Sequence, residues 1–423
     1  MGTTMSHTLL RVVAWKVFIL LLIIKSMAAE THWNQFRGPG GDGMAGQAQL
    51  PTQWSEQKNI VWKTAIRGKA WSSPVIWEDR IWMTSATEDG RELYALCVDV
   101  TTGNIIHDIT VFRIAEPMFC YPYNSYASCT PVVEKDRLWV HYGSAGTACL
   151  DTRTGRILWT RQDLPCNHYR GPGSSPIVFE NLLIVNFDGY DYQYVVALDK
   201  ETGKTVWKQD RTIDYGTDNG DLKKAFCTPT VFQHQGRWQL VSPAAVATIS
   251  YDPFTGREWW KVYHGGFNAA ARPIYTHGLV LIITEGGLKM LAVRPDGQGD
   301  VTSTHIAWTN QKQIPTRSSP VVVGDYVYMV SDIGVASCLN VVTGEAMWAE
   351  RLGGKYSASP IYASGRIYFF DEEGKSFVIR ATPERLIKLA TNELDNGCMA
   401  SPAVFENALI VRTKTHLYRI EER

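Results

Sequence analysis

Basic side chains recur at equivalent places along the chain, where they could bind an anionic ligand. Six of them stand within about six positions before a proline that opens a short apolar run: Lys69, Arg170, Lys224, Arg272, Arg317 and Lys355. A guanidinium group binds a carboxylate through two parallel hydrogen bonds, and a ring of positive charge raises the local concentration of anions. Arg317 and Arg272 are the best candidates because they lie closest to the predicted strands.

Aromatic residues stand near these cations and would offer stacking faces to a planar ligand: Trp71, Tyr126, Tyr169, Phe226 and Tyr356. A planar quinone with several carboxylates would suit such a site, with Trp71 or Phe226 as the stacking face. We therefore predict a cofactor-binding group at one mouth of a channel, formed by Arg317, Arg272, Arg170, Lys224 and Trp71. The alternative interpretation is that these charges are solvated and that their stems cover apolar surface.

Other patterns that could do chemistry are weak. Asp188 and Asp191, with Asn186 nearby, offer the hard oxygen atoms that Ca²⁺ prefers, but their spacing also suits a turn. The glycines of 38–43 satisfy G-x-G-x-x-G without the flanking strand and helix that a dinucleotide site needs, which favours a loop. The histidines lack metal-ligand spacing and no G-x-S-x-G motif occurs. The sequence therefore predicts neither a catalytic residue nor a metal site.

Composition excludes several classes of protein. Of 423 residues, 45% are hydrophobic and 20% charged, which is typical of a folded chain and not of a disordered one. The 42 Lys and Arg residues balance the 42 Asp and Glu residues. Nucleic-acid binding needs a basic surface, so a nucleic-acid partner is not expected.

The first 29 residues predict an export signal. Arg11 and Lys16 precede the uninterrupted apolar run 17–24, and small residues at 26–29 would suit cleavage. Lys25 directly after the run leaves an uncleaved anchor open as an alternative. We expect a signal peptide over 1–29 and a mature chain over 30–423 that has no transmembrane span and is periplasmic or associated with the cell envelope. Eight cysteines give no readable disulfide pairing, and most are expected to be buried thiols.

An internal repeat indicates the fold. A small residue or arginine followed by proline recurs at intervals of about 47 residues, and each proline is followed by an apolar run, a turn and a second strand-like run. The eight dipeptides are Ser73-Pro74, Thr130-Pro131, Ser175-Pro176, Thr228-Pro229, Arg272-Pro273, Ser319-Pro320, Ser359-Pro360 and Ser401-Pro402.

A second signature, D/N-x-x-T-G-x-x-x-W (with His at the last place once), follows in five of the units. The instances are 99–107, 151–159, 199–207, 252–260 and 340–348. An Asp or Asn side chain can accept hydrogen bonds across the turn, and glycine accepts a positive φ. The tryptophan would lie in the next strand and fill the gap between neighbouring sheets.

Units of this length and strand content predict an all-β protein, an eight-bladed β-propeller. The eighth unit ends after its third strand, whereas the stretch 59–66 precedes the first unit and has no other partner. We therefore expect this N-terminal strand to complete the last blade and close the ring, which removes exposed sheet edges. Seven blades is the alternative if one degenerate unit does not form a blade.

The D-x-x-T-G-x-x-x-W turn resembles the repeat of the pyrroloquinoline-quinone-like (PQQ-like) propeller superfamily, which includes quinoprotein alcohol dehydrogenases and the outer-membrane assembly scaffold BamB. The resemblance covers roughly residues 33–423. The blocks 33–43 and 188–203 are similar to those of exported members of this group. One fold serves many functions, so the resemblance implies the fold more strongly than an activity.

The resemblance implies two functions. The first is a BamB-like binding or scaffold module whose partner is an envelope protein or another extracytoplasmic ligand, bound by the long loops 112–128 and 162–173. The alternative is a PQQ-dependent oxidoreductase with non-standard ligands and Ca²⁺. The chain lacks the adjacent cysteine pair of those enzymes and a C-x-x-C-H haem motif, which favours the first. A purely structural role in a larger assembly also stays open.

Overall fold

A computed structural model of the chain describes residues 32–285 and 287–423. The predicted signal peptide, residues 1–29, and its boundary with the propeller lie outside the described residues. In chain order the strands are β1 (Ile60–Ala65), β2 (Val75–Trp77), β3 (Arg80–Ala86), β4 (Glu92–Asp99), β5 (Ile105–Arg113), β6 (Val132–Glu134), β7 (Arg137–His141), β8 (Thr147–Asp151), β9 (Ile157–Arg161), β10 (Ile177–Phe179), β11 (Leu182–Asp188), β12 (Gln193–Asp199), β13 (Thr205–Asp210), β14 (Thr230–His234), β15 (Arg237–Pro243), β16 (Ala247–Tyr251), β17 (Glu258–Tyr263), β18 (Ile274–Thr276), β19 (Leu279–Thr284), β20 (Lys289–Val293), β21 (Gly299–Asp300), β22 (Ile306–Asn310), β23 (Val321–Val323), β24 (Tyr326–Val330), β25 (Val335–Asn340), β26 (Ala346–Arg351), β27 (Ile361–Ala363), β28 (Arg366–Phe370), β29 (Lys375–Arg380), β30 (Lys388–Glu393), β31 (Ala403–Phe405), β32 (Ala408–Arg412) and β33 (His416–Ile420). A short 3-10 helix covers Gly220–Lys223.

Within the described residues these strands form eight antiparallel sheets, one for each repeat. Seven sheets are built from four strands that follow one another in the chain. The exception is the two-residue strand β21, which pairs parallel with β17 of the fourth blade, so that the fifth blade consists of β18, β19, β20 and β22. Each blade begins with a three- to five-residue strand, and neighbouring first strands such as β2 and β6 contact one another around the axis. The prediction of an eight-bladed propeller is confirmed.

The last blade combines the two ends of the described chain. Its order is β31, β32, β33 and then β1, and β1 pairs antiparallel with β33, so that Trp62 faces Arg419 and Lys63 faces Tyr418. Closure by the N-terminal strand is therefore confirmed. The apolar core lies between blades, where one cluster joins Ile184 of the third blade to Leu240 of the fourth.

Hydroxyl side chains tie the blades together around the axis. At the residue before the proline, the backbone N–H of one blade donates to the side-chain hydroxyl of the equivalent residue in the next blade, at 2.9–3.1 Å. The donor–acceptor pairs are Ser73–Thr130, Thr130–Ser175, Ser175–Thr228, Arg272–Ser319, Ser319–Ser359, Ser359–Ser401 and Ser401–Ser73. We call these eight positions the hydroxyl ring. Only Arg272, which has no hydroxyl group, interrupts it among the described residues.

Three of the four tryptophans that end the D-x-x-T-G-x-x-x-W signature dock their blade onto the next one, whereas the Trp260 indole donates to Gln239 of its own blade. The Trp159 indole donates to the Lys200 carbonyl at 3.1 Å and covers Gly203, whose turn is held by Asp199 accepting from the backbone N–H of Thr202 at 2.8 Å. The Thr202 hydroxyl also donates to Asp199 and, as the largest cause, lowers the pKa of that carboxyl. Trp62 repeats the arrangement across the closure, donating to Val100 at 2.9 Å. The predicted packing of tryptophan between sheets is thus observed.

Residues 33–45 run across the central channel of the propeller. They lie on the side of the hydroxyl ring where the first strands of the blades begin, which we call the strand side. Trp33 bridges to Ile76 of β2, and the Asn34 carbonyl accepts from Val133 of β6 at 2.9 Å. Further along, Ala45 donates to the Tyr362 carbonyl of β27 at 2.8 Å. This N-terminal segment, which contains the G-x-G-x-x-G match, forms turns instead of a dinucleotide site.

All eight cysteines are free thiols, and seven of them are buried. None of the helical segments in the described part of the chain has the length and apolarity to cross a bilayer.

The contact between Trp159 and Gly203 gives a test of blade docking. Gly203 has φ +72°, and a Cβ there would lie 2.7 Å from the Trp159 ring. We expect Gly203→Ala to lower the free energy of unfolding by about 1–2 kcal/mol from left-handed strain and by roughly a further 1–3 kcal/mol from overpacking. Urea unfolding measures both effects together.

Gly236→Ala is the matched control, because Gly236 has φ +80° with no atom within 4 Å of the added Cβ. It should show the strain without the clash. Equal losses in the two variants would mean that the tryptophan contact does not stabilise the blades.

Candidate functional site

A central cavity of about 290 Å³ lies on the propeller axis, between the hydroxyl ring and the loops that precede the first strands. Ring residues such as Ser73 and Thr130 line it, and Phe36 of the N-terminal segment also contributes to its wall. On the loop side, Tyr121 and Tyr123 reach over it from the long loop between β5 and β6. The cavity is therefore bounded by the N-terminal segment at one end and by this loop at the other.

The structure places three of the five predicted residues, Trp71, Arg170 and Arg317, in this cavity, together with Phe226. Arg317 donates from Nε to the Ser357 hydroxyl at 2.9 Å and stacks over the Tyr123 ring at 4.9 Å. Its Nη2 also lies 3.1 Å from an Asp332 oxygen. Its charge is thus already paired with a carboxylate.

Arg170 and Trp71 are held in a similar way. Arg170 lies 3.3 Å from the Asp221 carboxylate and over the Tyr121 ring at 5.8 Å. The Trp71 indole donates to the Tyr123 carbonyl at 3.0 Å. Both side chains therefore connect the cavity wall to the loop above it.

The other two predicted residues, Lys224 and Arg272, lie outside the cavity lining. The Lys224 ammonium group is buried and forms an ion pair with Asp221. Arg272 is buried on the strand side of the hydroxyl ring, where it donates to the Phe36 carbonyl at 2.8 Å and to the Thr230 hydroxyl at 3.1 Å. Burial lowers the pKa of Arg272 to about 10. It holds the N-terminal segment in place and does not face the cavity.

Sequence reasoning missed two polar residues that do line the cavity, Glu285 and Asn268. Glu285 directly follows β19, the second strand of its blade, and Asp332 and Asp371 occupy similar places after β24 and β28. This recurrence of acidic residues after a second strand is the signal that could have identified Glu285. Asn268, at φ +57°, offers no comparable pattern.

The cavity does not fit the Ca²⁺ and tricarboxylate quinone that the dehydrogenases of this superfamily imply. Asp188 is buried against Arg211 with oxygen and nitrogen atoms 2.7 Å apart, and Asp191 accepts from the backbone N–H of Asn167 at 2.7 Å. Throughout residues 32–285 and 287–423, no three His, Cys, Asp or Glu side chains are grouped so as to hold a metal ion. The guanidinium groups in the wall are already paired, which leaves little positive charge for a polyanion.

An exposed aromatic surface stands beside the cavity on the loop side. We call it the aromatic rim, and its members are Met118, Phe119, Tyr121, Tyr169, Tyr190 and Tyr192. Phe119 is 58% exposed and Tyr192 is 50% exposed. Three of the rings contact one another, since the centroids of Phe119 and Tyr169 lie 5.9 Å apart and those of Tyr169 and Tyr190 lie 5.6 Å apart.

The two loops that carry most of the rim are tied to each other. Asn124 of the first loop donates to the carbonyls of Arg170 at 2.9 Å and Pro172 at 3.1 Å in the second. Beneath them, His168 is buried, and its Nε2 accepts from the backbone N–H of Ser144 at 3.2 Å. The rim is therefore presented on loops that are fixed from below.

Comparison with known proteins agrees with this architecture. A family model described as outer membrane protein assembly factor BamB matches residues 121–231 and 191–423. The chain belongs to this family of PQQ-like propellers. A curated relative, the BamB of Yersinia pestis, is 23% identical over 175 residues, which are 40% of this chain and 41% of that relative. The chain thus spans about two fifths of the length of this BamB.

Solved structures show the same fold in proteins of different function. BamB from Moraxella catarrhalis has a TM-score of 0.61 at 14% identity and is covered over 99% of its length, for 85% of this chain. A europium-containing methanol dehydrogenase has a TM-score of 0.70 at 10% identity, with 94% of this chain and 92% of the enzyme covered. Quinohemoprotein alcohol dehydrogenase from Comamonas testosteroni gives 0.64 at 10% identity, with 95% and 82% covered. At these identities the likeness concerns the fold alone.

The buried histidine beneath the rim predicts acid sensitivity. Burial lowers the pKa of His168 to about 4, whereas the unfolded chain titrates near the ordinary value of 6.5. Between these values only the unfolded state takes up the proton, so the free energy of unfolding falls as pH decreases from 6.5 to 4. His168 accounts for roughly 3 kcal/mol of this loss. His168→Asn should reduce the slope of stability against pH by about one proton, measured by urea unfolding.

Gln162→Ala, which changes an exposed side chain without a titratable group in the same loop, serves as the control and should keep the wild-type slope. An unchanged slope in His168→Asn would show that this histidine does not stay neutral in the folded protein.

Proposed function

We propose that the protein is an exported, BamB-like binding module of the cell envelope and that it docks a protein partner on the aromatic rim. The observation that carries the proposal is the cluster of exposed rings on the loops between β5 and β6, between β9 and β10, and between β11 and β12, three of which contact one another. Folded monomers rarely expose contiguous apolar surface without a partner for it. Tyrosine and phenylalanine are also well suited to interface hot spots, because they bury much area with few rotatable bonds.

Rigidity of the rim supports the same function. The hydrogen bonds of Asn124 join the loop after β5 to the loop after β9, and Lys224 lies under the Tyr169 ring at 4.8 Å. A surface that is ordered before binding loses less conformational entropy when the partner arrives. The export signal predicted over 1–29 and membership of the BamB family are consistent with an envelope location.

A quinone-dependent oxidoreductase has weaker support from the geometry. Such a function would require the cavity to hold a polyanionic cofactor, and its two lining arginines already pair with Asp221 and Asp332. The scaffold function needs no chemistry from the cavity.

Rim variants test the docking surface. The double variant Phe119→Ala with Tyr169→Ala removes the centre of the rim while leaving the hydrogen bonds of Asn124 in place. We expect the tagged protein to retain an envelope protein from a cross-linked envelope extract of its own bacterium. The double variant should retain at least tenfold less, as measured by quantitative mass spectrometry.

Phe254→Ala is the matched control, since Phe254 is 46% exposed but stands outside the rim, beside Phe179. It should capture the partner as the wild type does. No partner above background, or equal loss in both variants, would contradict docking at the rim.

A further inference from the structure

Two acceptor groups in the central cavity have no hydrogen-bond donor of their own. Asn268 is 6% exposed, and its Oδ1 is buried without a partner among the described residues. In the same part of the chain, Glu285 has no partner for its carboxylate, neither a hydrogen bond nor an ion pair, although the side chain lines the cavity. Buried polar atoms are almost always satisfied, so the orphaned Asn268 oxygen in the cavity wall indicates that a ligand brings the donor, and Glu285 offers a second free acceptor in the same wall.

The balance of positive and negative side chains around the cavity favours a neutral ligand. Three positive groups, Arg170, Lys224 and Arg317, are balanced by three carboxyl groups, Asp221, Asp332 and Glu285. Burial raises the pKa of Glu285, and the nearby positive charge of Arg317 only partly offsets that effect. A polyanion would meet the Glu285 carboxylate and find no unpaired guanidinium group, and a cation would find its free carboxylate at a place where burial disfavours the charged form. Hydroxyl groups satisfy the free acceptors without adding charge.

The rest of the cavity wall consists mainly of aromatic side chains and of side chains with hydroxyl groups. Trp71, Tyr123 and Phe226 offer ring faces, and the hydroxyl ring contributes side chains such as Ser175 and Ser359 that both donate and accept. A pyranose ring has complementary properties, because its C–H faces are apolar and its edge carries hydroxyl groups. The cavity volume of about 290 Å³ lies at the lower end for ligand pockets and suits one or two sugar rings.

We propose that the central cavity binds a neutral saccharide of one or two rings, with Glu285 and Asn268 accepting hydrogen bonds from its hydroxyl groups and Trp71 or Phe226 packing against a ring face. The loop between β5 and β6 covers this site, since Tyr123 reaches across the axis and donates to Glu372, a residue of the seventh blade. Sugar binding and partner docking therefore use the same loop but different residues of it.

Calorimetry and saturation-transfer NMR on the mature propeller test the proposal, with glucose, N-acetylglucosamine, cellobiose and diacetylchitobiose as probes. We expect at least one of these four to bind with one-to-one stoichiometry. Glu285→Ala should weaken that binding at least tenfold, and so should Asn268→Gly, which keeps the positive φ of this position. Glu285→Gln retains an acceptor oxygen and should keep most of the affinity.

Glu373→Ala is the control, because Glu373 is exposed in the turn after β28 and is not part of the cavity lining. It should bind the sugar as the wild type does, and all variants should match the wild type in thermal unfolding and near-ultraviolet circular dichroism.

Three results would overturn the proposal. The first is that none of the four saccharides binds. The second is that Glu285→Gln abolishes binding, which would indicate a cationic ligand. The third is stoichiometric uptake of pyrroloquinoline quinone in a parallel titration. Retention of the envelope partner by Glu285→Ala separates this site from docking at the rim.

Discussion

The hydroxyl ring is the constraint on which the rest of the molecule depends. Eight short strands meet around the axis, and the backbone N–H of the residue before each proline needs an acceptor there. A serine or threonine at the equivalent position of the next blade supplies it, as the Ser359 hydroxyl accepts from Ser319 at 2.9 Å. The residues just upstream of the ring, such as Trp71 and Arg317, are then brought together around one cavity. The functional site is thus a consequence of how the blades are joined.

Arg272, the one position of the ring without a hydroxyl group, holds the N-terminal segment that closes the central channel on the strand side. Arg272 cannot accept from Thr228, and its long side chain instead reaches the carbonyl of Phe36. Gly41 permits this approach, because a Cβ there would lie 2.2 Å from the guanidinium group. Arg37, itself buried, donates to the Ser319 carbonyl at 2.6 Å, and burial lowers its pKa to about 9. Two buried arginines therefore hold the N-terminal segment across the axis: backbone carbonyls accept from Arg37, and the Phe36 carbonyl together with the side chains of Thr230 and Gln35 accept from Arg272.

The fold was predictable from the sequence because its determinants are local and repeated. The proline dipeptides and the turn signature each report on contacts within a blade or with the next one, and the missing fourth strand of the last blade pointed to the stretch that contains Trp62. The site was only partly predictable. Proximity to a proline selected both Arg317, which lines the cavity, and Arg272, which lies on the other side of the ring, where it binds the N-terminal segment. Contacts such as that of Tyr123 with Glu372 join residues 249 positions apart, and no local pattern reveals them.

Hydrogen–deuterium exchange of the segments that span the hydroxyl ring tests the central claim most directly. The account predicts that the amides of Thr130, Ser319 and Ser401 exchange only when the whole propeller unfolds, as slowly as the second and third strands of the blades. Exchange of these segments at the rate of the surface loops, while those strands stay protected, would contradict it. The hydroxyl ring would then not stabilise the propeller, and the cavity would lack the rigid base that the proposed saccharide site requires.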